Sequence, residues 1–272
     1  MKSFKAAVIQ MNSQPDVDHN LDQAYQLLKE AAKGGARLVG LPENFAFLGN
    51  LKKRMQLAGT IAEKAHPFLK QTAKELGIYL LGGSYPAPAD ESNGKTYNRS
   101  VLFGPDGKER ARYDKVHLFD VDLPNGESYR ESDYVKPGVN NPVVCKTDIC
   151  GIIGMSICYD LRFPELYRKL SEQQSDMLCV PSAFTETTGR AHWKPLLRAR
   201  AIENTAYVFA PAQTGKHGEK RRTYGHALIA DPWGRIIADA GKQKGFAIAE
   251  IDATTIKQVR AKIPSLQHRV FK

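Results

Sequence analysis

Cys158 is the residue of this chain best placed for covalent chemistry. It closes the run Gly151-Ile-Ile-Gly-Met-Ser-Ile-Cys158 and precedes Tyr-Asp-Leu-Arg-Phe-Pro-Glu165. A run of small and apolar residues predicts a strand buried on both faces. Pro164 then opens a helical stretch reaching Glu172, because proline is tolerated in a first helical turn. A thiol between the two sits at a sharp turn, facing backbone N–H groups and a helix N-terminus. Both favour a thiolate and could hold an oxyanion. Buried cysteines are mostly packing groups. Here Asp160, Arg162 and Glu165 crowd the thiol, a charge cluster that a purely structural strand end does not need.

Such a nucleophile calls for a proton acceptor and a positive charge. The apolar stretch Arg37-Leu-Val-Gly-Leu41 predicts a strand, and it runs into Pro42-Glu43-Asn44. Glu43 is therefore a carboxylate at the C-terminal end of a strand, where α/β folds gather their ligands. Taken alone it reads as a loop glutamate. Lys115 lies in Tyr113-Asp-Lys-Val-His117, after a hairpin built from Ser100–Phe103, the turn Gly104-Pro-Asp-Gly107, and Glu109–Tyr113. Period-two alternation would put Tyr113, Lys115 and His117 on one face. Alone, this lysine reads as a strand-edge gatekeeper.

The elements that must position these residues alternate along the chain. Strands are predicted at Phe4–Met11, 37–41, Ile78–Ser84, Val143–Thr147, Ile149–Cys158, Met177–Val180, Tyr207–Ala212 and Gly245–Ile251. A second hairpin is predicted from Tyr224–Ala230 and Arg235–Asp239. Helices are predicted from apolar spacing at Leu21–Ala32, Ile61–Leu76, Pro164–Glu172 and Trp193–Asn204. Residues 119–138 and 213–223 carry no clear period and read as loops. Strand–helix alternation with inserted hairpins predicts an α/β layered sandwich with helices outside, built as one domain over residues 1–272.

Composition narrows the function. Of 272 residues, 42% are hydrophobic and 25% charged, as in ordinary globular proteins. The 39 Lys and Arg against 29 Asp and Glu give a net charge of +10. Apart from Lys52-Lys-Arg54 and Lys220-Arg-Arg222 the cations are scattered, which argues against a nucleic-acid partner. Cys145, Cys150, Cys158 and Cys179 form no metal-binding spacing, and the histidines lack one too. No apolar run is long enough to span a membrane, and Met1-Lys-Ser-Phe-Lys5 leads directly into a strand. A cytoplasmic protein with reduced thiols is expected. Asn98-Arg-Ser100 matches a glycosylation acceptor and is read as accidental in such a protein.

Glu43, Lys115 and Cys158 together resemble the nitrilase superfamily of carbon–nitrogen hydrolases. The resemblance spans essentially the whole chain. It is carried by Leu41-Pro-Glu43, Tyr113-Asp-Lys-Val-His-Leu-Phe119, Cys158-Tyr-Asp-Leu-Arg-Phe-Pro-Glu165, Ala191-His-Trp193, Arg198-Ala-Arg-Ala-Ile-Glu203 and Tyr224-Gly-His226 with Asp231-Pro-Trp-Gly234. It implies an αββα sandwich that assembles as a homodimer or larger homo-oligomer into a four-layer stack. It further implies hydrolysis of a small-molecule amide with no metal or other cofactor. Cys158 would be the nucleophile, Glu43 the proton shuttle, and Lys115 with the Tyr159 N–H the oxyanion site. A second glutamate would support the lysine, Glu131 matching best with Glu127 as rival. Pro181-Ser-Ala-Phe184 and Gln213-Thr-Gly-Lys-His-Gly-Glu-Lys-Arg221 resemble the deaminated-glutathione amidase branch. The omega-amidase branch differs in that second stretch, and nitrilase action on the same triad is a further alternative. Substrate contacts are expected from Tyr159, Arg162, Phe184, Thr185, Lys216 and His217, with Arg162 on a keto-acid end and the 216–222 loop on a leaving peptide. A non-catalytic binding member of the fold is the alternative of another class, disfavoured because all three core residues are present.

Overall fold

Strand Phe4–Met11 is buried at every position but Lys5. Successive strand side chains point to opposite faces, so this one strand serves two cores. Ala6 and Val8 belong to one; Ala7, Ile9 and Met11 belong to the other. The second core is completed by Leu27 and Leu28 of helix Val17–Lys33 and by Ile61, Leu69 and Ala73 of helix Ala58–Leu76. Both helices therefore cover the outer face of the sheet that contains this strand. The computed structural model that gives this arrangement describes residues 1–89, 94–124, 126–219 and 221–271.

That sheet has nine strands among the described residues. Phe4–Met11 pairs in parallel with Ala36–Gly40 and with Ala212–His217, and antiparallel with Gly245–Ile251. A second sheet of six strands runs from Val144–Lys146 through Ile152–Met155, Met177–Cys179, Tyr207–Ala210 and Leu228–Ala230 to Ile236–Asp239. Val8, Leu38 and Leu102 of the first sheet share one core with Met155, Leu178 and Phe209 of the second. Leu166, Tyr167 and Leu170 of helix Pro164–Glu172 join it, with Leu197 and Ala201 of helix Lys194–Asn204. The order helix, sheet, sheet, helix is the layered sandwich that the strand–helix alternation predicts, in the αββα form that the resemblance implies.

Several expectations need correction. The stretch 119–138 is not structureless: strands Asp120–Asp122 and Ser128–Arg130 pair antiparallel and lead into a 3-10 turn at Glu131–Asp133. These three-residue strands are too short for a period to declare itself. The stretch 213–223 is likewise a hairpin, Ala212–His217 with Arg221–Tyr224. Its basic residues and positive-φ Gly215 disguise the alternation. Strand Glu109–Asp114 ends one residue before Lys115, so the alternation does not carry through to His117. Helix Ala253–Lys262, capped by Asp252, is not anticipated by the sequence reading. No helix of the described residues is long and apolar enough to cross a membrane.

Candidate active site

Three chain segments converge at one end of the sandwich. Glu43 follows strand Ala36–Gly40, and its loop is pinned from several sides. The Phe45 amide donates to the Ser84 carbonyl, the Asn44 amide donates to Ser84 Oγ at 3.0 Å, and Gln213 Nε2 donates to the Glu43 carbonyl at 3.1 Å. Gly83, at φ +53°, lets the chain pass so close that a Cβ there would lie 2.1 Å from the Pro42 carbonyl oxygen. Only glycine fits this approach.

Cys158 stands at the predicted elbow. Strand Ile152–Met155 ends before it, a 3-10 turn Cys158–Arg162 follows, and helix Pro164–Glu172 comes next. Its φ is +47°, a costly conformation for a side chain other than glycine and one that tends to mark functional turns. The Cys158 amide donates to the Pro181 carbonyl at 3.0 Å.

The charged centre is buried and closely bonded. The Lys115 ammonium donates to Glu43 Oε1 at 2.9 Å and to Glu131 Oε2 at 2.8 Å, and all three residues are buried. Glu131 Oε2 also accepts from the Phe119 amide at 2.8 Å. Glu127 instead meets the Tyr129 hydroxyl, so the carboxylate against Lys115 is Glu131. The other Glu43 oxygen accepts from the Ala183 amide at 2.9 Å. Asn98 Nδ2 donates to Glu43 Oε1 at 2.9 Å. The sequence reading missed this role of Asn98 and noticed the residue only as a glycosylation match, which its burial rules out in the folded chain.

The electrostatics follow from these contacts. Burial alone would raise the Glu43 pKa. The charge and hydrogen bond of Lys115, then Arg221 and the thiol, outweigh it and hold the carboxyl below its ordinary value. Burial alone would strip the proton from Lys115, but Glu131 and Glu43 push its pKa up, so it stays an ammonium. Burial, then the adjacent Glu43 carboxylate, pushes the Cys158 thiol far above its usual value despite Lys115. The resting nucleophile is thus a thiol beside an ionised carboxylate. Desolvation and Glu43 outweigh the turn's N–H groups, so the proton has to be taken by Glu43.

Asp160 ties the lysine segment to the elbow. Its fully buried carboxylate accepts from the Tyr113 hydroxyl at 2.8 Å, from the His117 amide at 3.1 Å and from the Ile157 amide at 2.8 Å. His117 Nδ1 lies 2.7 Å from the same carboxylate, its ring stacked on Phe163. Two residues flanking Lys115 and the residue before Cys158 thereby share one anchor. Asp160→Asn keeps the shape and loses half of these acceptors. A small misplacement of reacting groups can cost on the order of 100-fold. The expected outcome is a lower kcat with little change in KM and an intact circular dichroism spectrum. Wild-type kcat in a folded Asp160→Asn protein would remove Asp160 from this role.

Cys158, Glu43, Lys115 and Glu131 all open onto one cleft, lined also by Phe119, Tyr129, Tyr159, Phe184, Thr185 and Thr188. Tyr159, Phe184 and Thr185 therefore lie where the sequence predicts substrate contacts. Arg162 stands just outside, its guanidinium 5.3 Å from the Phe184 ring and 5.7 Å from the Tyr159 ring, beside His192 Nδ1. Lys216 and His217 are not part of the cleft lining. Alternation in their strand turns Lys216 outward, to a surface hollow shared with Lys242 and Lys244. His217 turns inward, but the Ser13 carbonyl and Thr223 hydroxyl occupy both ring nitrogens at 2.7 Å. Burial pushes its pKa down to about 4 and leaves the ring neutral. Lys220 lies outside the described residues. Among the described residues no cluster of His, Cys, Asp or Glu is arranged to hold a metal ion. The remaining cysteines, 145, 150 and 179, are buried and free.

Two cationic lining residues, Arg54 and Arg221, have distinct histories. Arg221 belongs to the basic loop singled out from sequence, and unlike Lys216 it reaches the cleft. Arg54 belongs to the other basic run, Lys52-Lys-Arg54, which in the sequence reads as solvated surface. Only its burial, and its donation to Asn44 Oδ1 at 2.6 Å, reveal its place.

The family model for carbon–nitrogen hydrolases matches residues 5–261. The chain belongs to the carbon–nitrogen hydrolase family. A deaminated glutathione amidase of Synechocystis is 54% identical over the full length of both chains. An omega-amidase of Xenopus tropicalis is 39% identical, covering 99% of this chain and 96% of its own. The Caenorhabditis elegans NitFhit crystal structure matches with a TM-score of 0.93 and 36% identity, over 99% of this chain and 66% of that one. This hydrolase is an enzyme acting on non-peptide carbon–nitrogen bonds, and it carries the nitrilase-type sandwich anticipated from its motifs.

Proposed function

We propose that this hydrolase cleaves deaminated glutathione to 2-oxoglutarate and cysteinylglycine through a thioester on Cys158. The observation that carries the branch is Arg221. It comes from the stretch 213–221, where this chain resembles the deaminated-glutathione amidases, and its side chain lines the cleft. The greater identity to the Synechocystis relative of that name than to the Xenopus omega-amidase supports the same reading.

In this reading Glu43 takes the Cys158 proton as sulfur attacks the amide carbon. The C–S bond forms, and Lys115 with the Tyr159 N–H holds the oxyanion. Glu43 passes its proton to the leaving nitrogen as the C–N bond breaks. Water then attacks the thioester and gives Glu43 a proton, which returns to the departing sulfur. Glu131 keeps Lys115 charged and in place. Phe184 and Thr185 form the wall against which the acyl chain lies, and Arg162 serves its keto-acid end from outside the Tyr159–Phe184 pair. The test is kcat/KM for deaminated glutathione, 2-oxoglutaramate and a matching nitrile. Deaminated glutathione is expected to lead. Preference for the simple keto-amide would move the chain to the omega-amidase reading.

The working unit in this proposal is the whole chain, residues 1–272, as one domain in a cytoplasmic homodimer, with no nucleic-acid or membrane partner. Ile202, Trp233 and Ile263, exposed by 48, 53 and 45%, gather around one hollow, and Val270 and Phe271 are exposed near the C-terminus. Apolar surface of this kind supports a self-association face. A monomer mass in sedimentation at micromolar concentration would count against it.

A further inference from the structure

The cleft carries more positive than negative charge. Among the described residues that line it, Lys115, Arg54 and Arg221 face the carboxylates of Glu43 and Glu131. Three cations less two anions leave one positive charge, since the Cys158 thiol is neutral. Lys115 is bonded to both glutamates. Among the described residues neither arginine has an ion-pair partner within 4.0 Å. Arg54 is only 3% exposed and donates to the neutral Asn44 amide oxygen. Arg221 gives one Nη to the Ala183 carbonyl at 3.1 Å and lies over the Tyr129 ring. Its Nε is buried with no hydrogen-bond partner. An unpaired buried guanidinium donor and a surplus charge in a largely buried site are both costly unless an anion completes them.

We infer that Arg54 and Arg221 together form a carboxylate-binding subsite, so that the cleft selects linear amides carrying a carboxylate over neutral amides. This rests on the amidase reading above and adds the residues that enforce it. Guanidinium pairs suit this task because each presents parallel N–H donors matching a carboxylate's two oxygens. The competing explanation is that Arg54 serves only to hold Asn44, the neighbour of Glu43, at its positive φ of +57°. That role would affect every substrate alike.

The experiment therefore reads a ratio. Wild type, Arg54→Gln, Arg54→Lys and Arg221→Gln are assayed on three amides. 2-Oxoglutaramate carries its carboxylate on the acyl half, N-butyryl-cysteinylglycine carries it on the leaving half, and butyramide carries none. Removing one partner from a buried charged pair is expected to cost on the order of 100-fold. The kcat/KM ratio of one charged amide to butyramide should fall by about that factor in both glutamine variants, and Arg54→Lys should recover part of it. The charged amide that suffers identifies the half that docks. Equal losses on all three amides, or no loss, would overturn the subsite. Calorimetry with glutarate on Cys158→Ala protein, with and without Arg54→Gln, gives a reading independent of turnover. Affinity should fall about 100-fold, and unchanged affinity would also overturn the inference. Failure of the wild type to hydrolyse any carboxylate-bearing amide would instead refute the proposed function itself.

Discussion

Cys158→Ala is expected to abolish amide hydrolysis while leaving the fold intact. The thiol sits at φ +47° between a buried strand and a 3-10 turn, against an ionised glutamate. Nothing else described in the cleft can form the thioester: its other members are aromatic and aliphatic side chains, threonines, an amide and charged groups already bonded or cationic. Alanine removes one sulfur and tolerates the same turn no worse than cysteine does. Circular dichroism and the thermal midpoint should therefore stay near wild type, and residual turnover should be at background. Cys145, Cys150 and Cys179 are the internal comparison, since they are buried packing groups away from the cleft lining. Their alanine variants should lose stability but keep kcat. Hydrolysis above background in a folded Cys158→Ala protein would remove the thioester from the mechanism.

Glu43→Gln and Lys115→Ala form the second large effect, and they should fail differently. Glutamine keeps the shape of Glu43 and its contact with Lys115 but cannot take the thiol proton. Because burial keeps that thiol protonated, loss of the base should stop acylation almost entirely, by 1000-fold or more given what general bases contribute. Lys115→Ala removes the oxyanion's cation, for which roughly 100- to 1000-fold in kcat is expected, and leaves Glu43 and Glu131 as buried carboxylates without their bonded ammonium. Lower thermal stability should therefore accompany the kinetic loss in Lys115→Ala and not in Glu43→Gln. The sign of the pH dependence is fixed by the same contacts. Glu43 is active as the carboxylate and is held below its usual value of 4.5. The acid limb of kcat/KM should therefore lie below that value in the wild type. A limb near neutrality, or wild-type turnover in either variant, would refute the assigned roles.

The sequence by itself determined the layered α/β class and, through the family resemblance its motifs carry, the class of reaction. Strand Phe4–Met11, helix Pro164–Glu172 and strand Gly245–Ile251 are bounded as their patterns predict. The reason is local. Hydrophobic period, a first-turn proline and a closing glycine act within a few residues, and a long periodic segment repeats the signal. Glu43, Lys115 and Cys158 could be found because each sits in a short motif at the end of an element. Only the tertiary structure decided which glutamate meets Lys115, since Glu127 and Glu131 flank the same three-residue strand, Ser128–Arg130, and only the second lies against the ammonium. It also decided the thiol's proton. Helix and turn dipoles are visible in sequence, but the burial and the carboxylate that outweigh them come from residues more than a hundred positions apart. Arg54 and Lys216 make the same point in opposite directions. Both are basic residues in basic runs. Packing buried the first against Asn44 inside the cleft, and strand alternation turned the second out to water. A charge in a sequence carries no depth, and depth determines whether that charge is screened by solvent or acts on a substrate.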